Sequence, residues 1–449
     1  MRLPIVSGIY ADSTAELRTS YPRNLFPVPK MTGVSVGHLR TARGVRQYGT
    51  SGGPCRGGAE WKGDLYRVQG ANLYQIYEDG TQRLVGEITG TDTATMVRSF
   101  DYLGIAADGK LWLYDGTVLR RVVDPDLGDA LSVTWQGGYF ITTDGENIVV
   151  TELSNPFSVN PLKYASSEVD PDPVVCVLRQ SNEVYAINQY TIEVFSNIGG
   201  SNFPFQVVSG AQINKGAVGT HAAIEFDGAI MFVGGGRNES PAIWAGVGGA
   251  PTKISTSEID RRLLEYTESE LASIVLEKWT DRNHNTLLIH LPDCTLCYDQ
   301  AATAVIGQPA WYTLHSDFRH LVWHGNRWTV GRAADGAIGY VDDTIGTIWG
   351  EALDWEIITP IVYAEGNGGI FHEVELVGRL KRHPEQSVSL EYSADGEEWS
   401  PKQTITAGSA MKWVRQGYMR DARFFRFTGT TAQPTSFSRV DARVEGLAW

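Results

Sequence analysis

The sequence predicts an all-β fold: a β-propeller-like domain with a short helical insertion, followed by a C-terminal antiparallel β-sandwich-like region. Three observations predict it. The chain has 449 residues, 42% apolar and 20% charged, enough to bury a large core without the composition of a disordered protein. It carries 49 glycines beside 13 Trp and 19 Tyr. Glycine supplies the positive φ that tight turns need, and aromatic rings suit a pleated, half-buried surface. Short alternating apolar runs, separated by turn dipeptides, recur through most of the chain.

Residues 1–30 read as an extended N-terminal arm. Tyr21-Pro22-Arg23-Asn24-Leu25-Phe26-Pro27-Val28-Pro29 places three prolines where they forbid helix and disfavour a central strand. Residues 31–350 read as the propeller-like domain. Leu65–Val68 and Leu73–Tyr77 flank Gly70 and Asn72, and Leu103–Ala106 and Leu111–Tyr114 flank Asp108-Gly109. The pattern returns around Asp144-Gly145, Ser181-Asn182, Asp227-Gly228, Gly325-Asn326 and Asp335-Gly336. Asp-Gly between apolar runs predicts type I′ hairpins, which need φ > 0 at both central residues. At about 40–45 residues per blade, the length implies six or seven blades.

One segment breaks the β period. Ile259, Leu263 and Tyr266 have helical spacing, and Ser255 with Glu258 reads as a capping box. Thr267 with Glu270 reads as a second, which predicts two short helices near 256–275. Residues 351–449 read as a sandwich-like domain with longer strands at Phe371–Leu376, Val388–Tyr392, Phe424–Thr428 and Ser438–Val444.

The net charge of −14 argues against a sequence-reading nucleic-acid binder, which needs Lys and Arg in excess. The acidity lies before Ile370; from there on, 11 basic side chains meet 10 acidic ones. That distribution suits either plain solubility or an acidic passage that lets DNA slide. Four cysteines are too few for a disulfide scaffold, and no apolar run is long enough for a membrane span or a signal peptide. Synthesis in a reducing cytoplasm is expected.

Each chemical motif fails on spacing. Cys294 and Cys297, with His284 and His290 nearby, suggest zinc, but strand residues three apart point to opposite faces. Asp124-Pro-Asp126-Leu-Gly128-Asp129 starts like a calcium loop, yet the twelfth position is Trp135 and not Glu. Gly234-Gly235-Gly236 and Gly246-Val-Gly248-Gly249 lack the Lys-Ser/Thr of a phosphate loop. Tyr392-Ser393-Ala394-Asp395-Gly396-Glu397-Glu398-Trp399 resembles the structural hairpins of galactose-binding-like sandwiches and a shortened sialidase Asp box. It keeps a glycan-binding or depolymerase-like β-propeller protein open as the alternative. Arg415, Arg420, Arg423 and Arg426 interleave with Tyr418, Phe424, Phe425 and Phe427, a pattern for nucleic acid or for an interface. No catalytic, cofactor-binding or metal residue is assigned, and no enzyme activity is expected.

Ile254-Ser-Thr-Ser-Glu258-Ile259, Tyr266-Thr267-Glu268-Ser269-Glu270-Leu271-Ala272, Thr286–Pro292, Tyr298-Asp299 and Trp311 together resemble the packaged-DNA stabilisation proteins of short-tailed bacteriophages, their tail hub or nozzle. Arg23-Asn24-Leu25-Phe26-Pro27 is similar to that family's early Asn-Leu-aromatic-Pro element. The resemblance implies a propeller-containing, non-catalytic virion protein that forms a homohexamer below portal and head-to-tail adaptor. It implies a ring that extends the DNA channel, retains packaged DNA, carries tail needle or fibre and spike proteins, and passes double-stranded DNA without reading it.

Overall fold

The computed structural model describes residues 1–6, 21–30, 37–167, 170–200, 202–363, 368–379, 386–406 and 410–447. Six consecutive antiparallel units follow one another, each of four strands except the fifth, which has five. Blade one is Cys55–Trp61, Asp64–Gln69, Asn72–Ile76 and Gln82–Glu87; blade two is Thr95–Arg98, Leu103–Ala107, Lys110–Tyr114 and Leu119–Arg121. Blades three and four begin at Val133–Gln136 and Val174–Gln180. Blade five is built on Ala223–Phe226 and Ala229–Gly235, and blade six on Val275–Asp281, His284–His290, Thr295–Asp299 and Trp311–Leu314.

The seventh blade is composite. Phe318–His324, Arg327–Arg332 and Ala337–Asp342 supply three strands, and Gly44–Thr50 pairs antiparallel with the third to complete it. The first strand of each blade touches the first strands of its neighbours, and that of blade seven touches that of blade one. The ring is therefore closed, and a strand from the beginning of the chain latches its end. No blade can hide both faces alone; stacking buries them between neighbours. Leu103, Ile105, Leu111 and Leu113 are accordingly inaccessible on both sides of one sheet.

The rest of the chain forms two facing sheets. One runs Leu25–Pro29, Gly37–Thr41, Ser436–Gly446, Gly369–Arg379, Lys412–Met419, with Arg2–Leu3 also on Ser436–Gly446. The other runs Glu351–Ile358, Ala422–Thr431, Ser387–Ser393, Gln403–Thr406. Trp355, Phe371, Phe425, Phe427 and Phe437 fill the space between, each at most 2% exposed. Each such burial stabilises by roughly 2–3 kcal/mol. Leu3, Ile5, Val6, Leu25 and Leu39 join the same core, so the start of the chain is part of the C-terminal sandwich.

The three-proline segment is extended, as the prolines require, and it is built into the sheets. Tyr21–Arg23 pairs in parallel with Trp311–Leu314 of blade six and antiparallel with Glu351–Ile358 of the sandwich, joining the two parts in one sheet. A strand between two others was disfavoured by its proline, and it stays only three residues long. Residues 7–20 of the expected arm lie outside the described residues.

The helical reading holds with two corrections. Helices occupy Ser257–Leu263 and Glu268–Ala272, with Ile259, Leu263 and Leu271 buried. Thr267 and Glu270 form the reciprocal capping box. Ser255 does not cap: its hydroxyl accepts from the Ile243 N–H and donates to Asp260, and Thr256 holds the N-cap position. A third helix, Gln300–Ile306, was missed; Asp299 caps it and Gly307 ends it at φ 76°.

The hairpin reading divides. Asp108-Gly109 and Asp227-Gly228 have both central φ values positive, as type I′ turns require. At Asp115-Gly116 and Asp144-Gly145 only the glycine does. There the Asp carboxylate accepts two backbone N–H groups and builds the turn with its side chain. Gly336 has no positive φ; a Cβ there would collide with the Ser51 carbonyl of the latching segment.

Candidate functional site

The structure separates the residues that suggested chemistry. Cys294 and Cys297 are buried free thiols, pushed up by burial, Cys294 to about 11. His284 instead pairs through Nδ1 with Asp299 at 2.5 Å. His290 faces Thr295 at 2.9 Å. No group of three potential metal ligands comes together among the described residues. Asp124 accepts the N–H groups of Asp126 and Val159, a connection-stabilising turn. Gly234 lies where a Cβ would strike the Gly216 carbonyl, so that glycine run reflects close strand packing.

The Ser393 hairpin is satisfied from within. Ser393 Oγ accepts the Gly396 N–H at 2.8 Å, and Asp395 accepts those of Glu397 and Glu398. The Arg426 guanidinium lies 4.1 Å from the Trp399 ring centroid and pairs with Glu391, which removes a stacking surface a sugar would use. Arg423 is buried, donating to the carbonyls of Gln416 and Tyr418. Phe424, Phe425 and Phe427 are all core. Arg415 and Arg420 remain as the exposed part of that run.

Sequence reasoning missed a buried polar network where the ring closes. His320 sits at φ 58° in an irregular stretch of the first strand of blade seven, which turns its N–H and that of Leu321 toward Glu277 of blade six, at 2.6 and 3.0 Å. Burial opposes the Glu277 charge. The imidazoles of His290 and His320, 3.6 and 3.5 Å away, and the Leu321 N–H override it and hold the carboxyl well below the usual range. Arg319 donates to His290 Nδ1, which leaves the proton of that ring on Nε2, facing Glu277. Arg67 of blade one completes the network. It donates to the His320 carbonyl at 3.0 Å and to Thr329 Oγ1 at 2.9 Å. One signal was available: Arg67 and Glu277 are charged residues inside apolar strand runs.

Beside this closure a cleft of about 650 Å³ separates blades six and seven from the sandwich. Asp293, Asp317, Glu351 and Asp354 outnumber Arg319 and Arg332 on its walls. Arg332 is paired with Asp317 at 2.5 Å. The cleft is acidic and offers its cations mainly to the protein itself.

The two faces of the ring differ. On one lie the turns joining first to second and third to fourth strands. Neighbouring blades are tied there by Trp61 Nε1 to the Ser99 carbonyl, Arg98 to Glu60, Gln136 to Asn182, Lys278 to Glu225 and His324 to the Gly63 carbonyl. The other face holds the second-to-third turns and the links between blades. Carboxylates crowd it: Asp124, Asp126, Asp129, Asp144, Glu146 and Asp172.

The profile of the family described as "Bacteriophage P22 Gp10, beta-propeller" matches residues 1–346, and that of "Bacteriophage P22 Gp10, beta-sandwich" matches residues 354–445. The chain belongs to the P22 Gp10 family. The tail hub protein gp10 of Salmonella phage P22 is 23% identical over 479 residues, covering 99% of both chains. Among solved structures, the Neurospora crassa Pan2 WD40 domain aligns with a TM-score of 0.44 at 8% identity, over 67% of this chain and 96% of its own. BamB from Moraxella catarrhalis aligns with a TM-score of 0.38 at 13% identity, over 76% and 97%.

The resemblance carried by residues 254–311 thus extends along the whole of this Gp10-family chain, and the fold class expected from it is the one observed. In space the two parts of the Gp10 fold interleave. Residues 1–6, 25–29 and 37–41 fall within the propeller profile by position but lie in the sandwich. None of the described helices is long and apolar enough to cross a membrane.

Proposed function

We propose that this chain is a structural protein of a short-tailed phage tail, the tail hub or nozzle. In this reading six copies form a ring below portal and adaptor, prolong the DNA channel, help hold packaged DNA, and carry needle and fibre or spike proteins. The observation that carries it is the end-to-end match to a tail hub protein, 99% of each chain, with both family profiles in order.

The physical character of the fold supports the reading. A part under the pressure of packaged DNA must not open. Here the propeller is latched by a strand from the chain start, and the sandwich is sewn to it by Tyr21–Arg23. The net charge of −14 suits a passage that repels phosphate and lets duplex slide. No catalytic step belongs to this role.

The test is a phage whose gene for this chain is interrupted. Heads are expected to fill and then lose their DNA, and intact virions are expected to show the protein in the tail by electron microscopy and mass spectrometry. Absence of the protein from purified particles would overturn the reading.

A further inference from the structure

The junctions between blades differ in what fills them. Among the described residues, ten buried apolar side chains span each of the junctions one–two, two–three and three–four. One larger cluster runs from blade four through blade five to blade six, and another joins six, seven and the sandwich. Where blade seven meets blade one the cluster is only four residues, Leu65 and Ile76 against Val322 and Ile338, with Tyr48 and Tyr74 half-buried at its margin. The thiol of Cys55 in blade one adds to it by lying close against Gly331 of blade seven. Apolar burial is what resists the parting of two blades in water, and this junction has the least of it.

Polar contacts take the place of the smaller core. Arg67 of blade one, wholly buried, donates to the His320 carbonyl and to Thr329 of blade seven. Arg327 of blade seven donates to the Glu78 carbonyl, Gln82 of blade one to the Thr50 carbonyl, and the His324 ring meets the Gly63 carbonyl. Water can replace such bonds when the blades part, so they hold the junction less firmly than a core would. Other polar atoms here are buried with no partner among the described residues. Gln69 shares a strand face with Leu65 and Arg67; it is fully inaccessible, and neither its amide oxygen nor its amide nitrogen is bonded. Arg67 Nε, the Ser51 hydroxyl and the Tyr48 hydroxyl are in the same condition. Each penalises the closed junction and is relieved when water enters.

The chain connectivity permits an opening. Gly44–Thr50 is paired within blade seven and Cys55–Trp61 within blade one, and the chain crosses between them at 51–54. The two blades can part without breaking a strand pair. We infer that the junction of blades seven and one is a seam at which the folded ring opens and recloses, with residues 51–54 as its tether. The propeller then widens along one fixed line while every blade stays whole and the other junctions stay shut.

Two native thiols make the test. Cys55 faces the seam, and Cys176, equally a buried free thiol, lies in the cluster between blades four and five. The full chain is treated with iodoacetamide under native conditions, and labelling at each cysteine is followed by peptide mass spectrometry. Cys55 is expected to react at least roughly 100-fold faster than Cys176, with little dependence on low denaturant, because a local opening exposes little surface. Gln69→Leu keeps the volume and removes the two unpartnered amide atoms; it should slow Cys55 at least about fivefold and not speed Cys176. Equal rates at the two thiols, or a Cys55 rate that rises with denaturant as steeply as that of Cys176, would mean that Cys55 is reached only by global unfolding and would overturn the seam. Fast labelling of Cys55 that Gln69→Leu leaves unchanged would overturn it as well, since attack through the closed surface would then account for the rate. If the variant does not fold, the denaturant dependence in the wild type decides by itself.

Discussion

At the scale of single residues, the most consequential group is the Glu277–His290–His320 cluster with Arg319 and Arg67. It sits where blades six, seven and one meet, so its protonation bears on ring closure. Burial pushes His320 down to about 4, and the neighbouring cations Arg67 and Arg319 add to that against the pull of Glu277. Between that value and the ordinary one near 6.5, the unfolded chain takes up a proton that the folded chain refuses. Stability is therefore complete above about pH 6.5 and is lost as pH falls toward 4. Glu277 acts in the same direction: its depressed carboxyl favours the fold above the ordinary carboxylate range and loses that advantage as acid is added. The expected outcome is a loss of about 3 kcal/mol from His320 between pH 7 and 4. Denaturant melts across that range should show it, and His320→Gln should flatten the part between pH 6.5 and 5. An identical slope in wild type and variant would refute the assignment.

At the scale of elements, the helical insertion between blades five and six is the best local test. Leu263 is fully buried against the cluster that also holds Ile259, Leu271 and Trp311. Leu263→Asp places a carboxylate there without a partner, and a destabilisation of more than about 3 kcal/mol is expected. Thr267→Ala removes one half of an exposed capping box and should cost about 1 kcal/mol. Thermal unfolding of both variants separates the two magnitudes. Equal effects would mean that the insertion is held by its caps and not by its buried face. The missed helix Gln300–Ile306 belongs to the same scale. Its capping signals, Asp299 and Gly307, were in the sequence, but an Ala-rich stretch beside strong strands gave no helical period of apolar residues.

At the scale of the whole molecule, the first fifty residues do what the fold's ends cannot do for themselves. Gly44–Thr50 completes blade seven, Tyr21–Arg23 bridges propeller and sandwich, and Leu3, Ile5, Leu25 and Leu39 enter the sandwich core. A chain beginning after Thr50 would leave the ring unlatched, with an unpaired strand edge and an open sandwich. Such a truncation is expected to lose cooperative unfolding and to aggregate. Supplying residues 1–50 as a separate peptide should restore part of the near-ultraviolet circular dichroism. A cooperative transition in the truncated chain alone would show that the latch is dispensable.

What the sequence determined by itself was local and periodic. Alternating runs with turn residues gave the all-β class, spacing at Ile259, Leu263 and Tyr266 gave the insertion, and the pattern at 254–311 gave the family resemblance. Spacing also argued against each metal, phosphate and nucleophile motif, because those depend on short-range geometry. The tertiary structure alone decided the rest. Nothing near Gly44–Thr50 says that it pairs with Ala337–Asp342, nearly 300 residues later. Nothing near Arg67 names His320 and Thr329 as its partners. Strand pairing and buried polar contacts of that kind are fixed by which surfaces meet when the ring closes. The hydrophobic pattern states that a face is buried, but not what buries it.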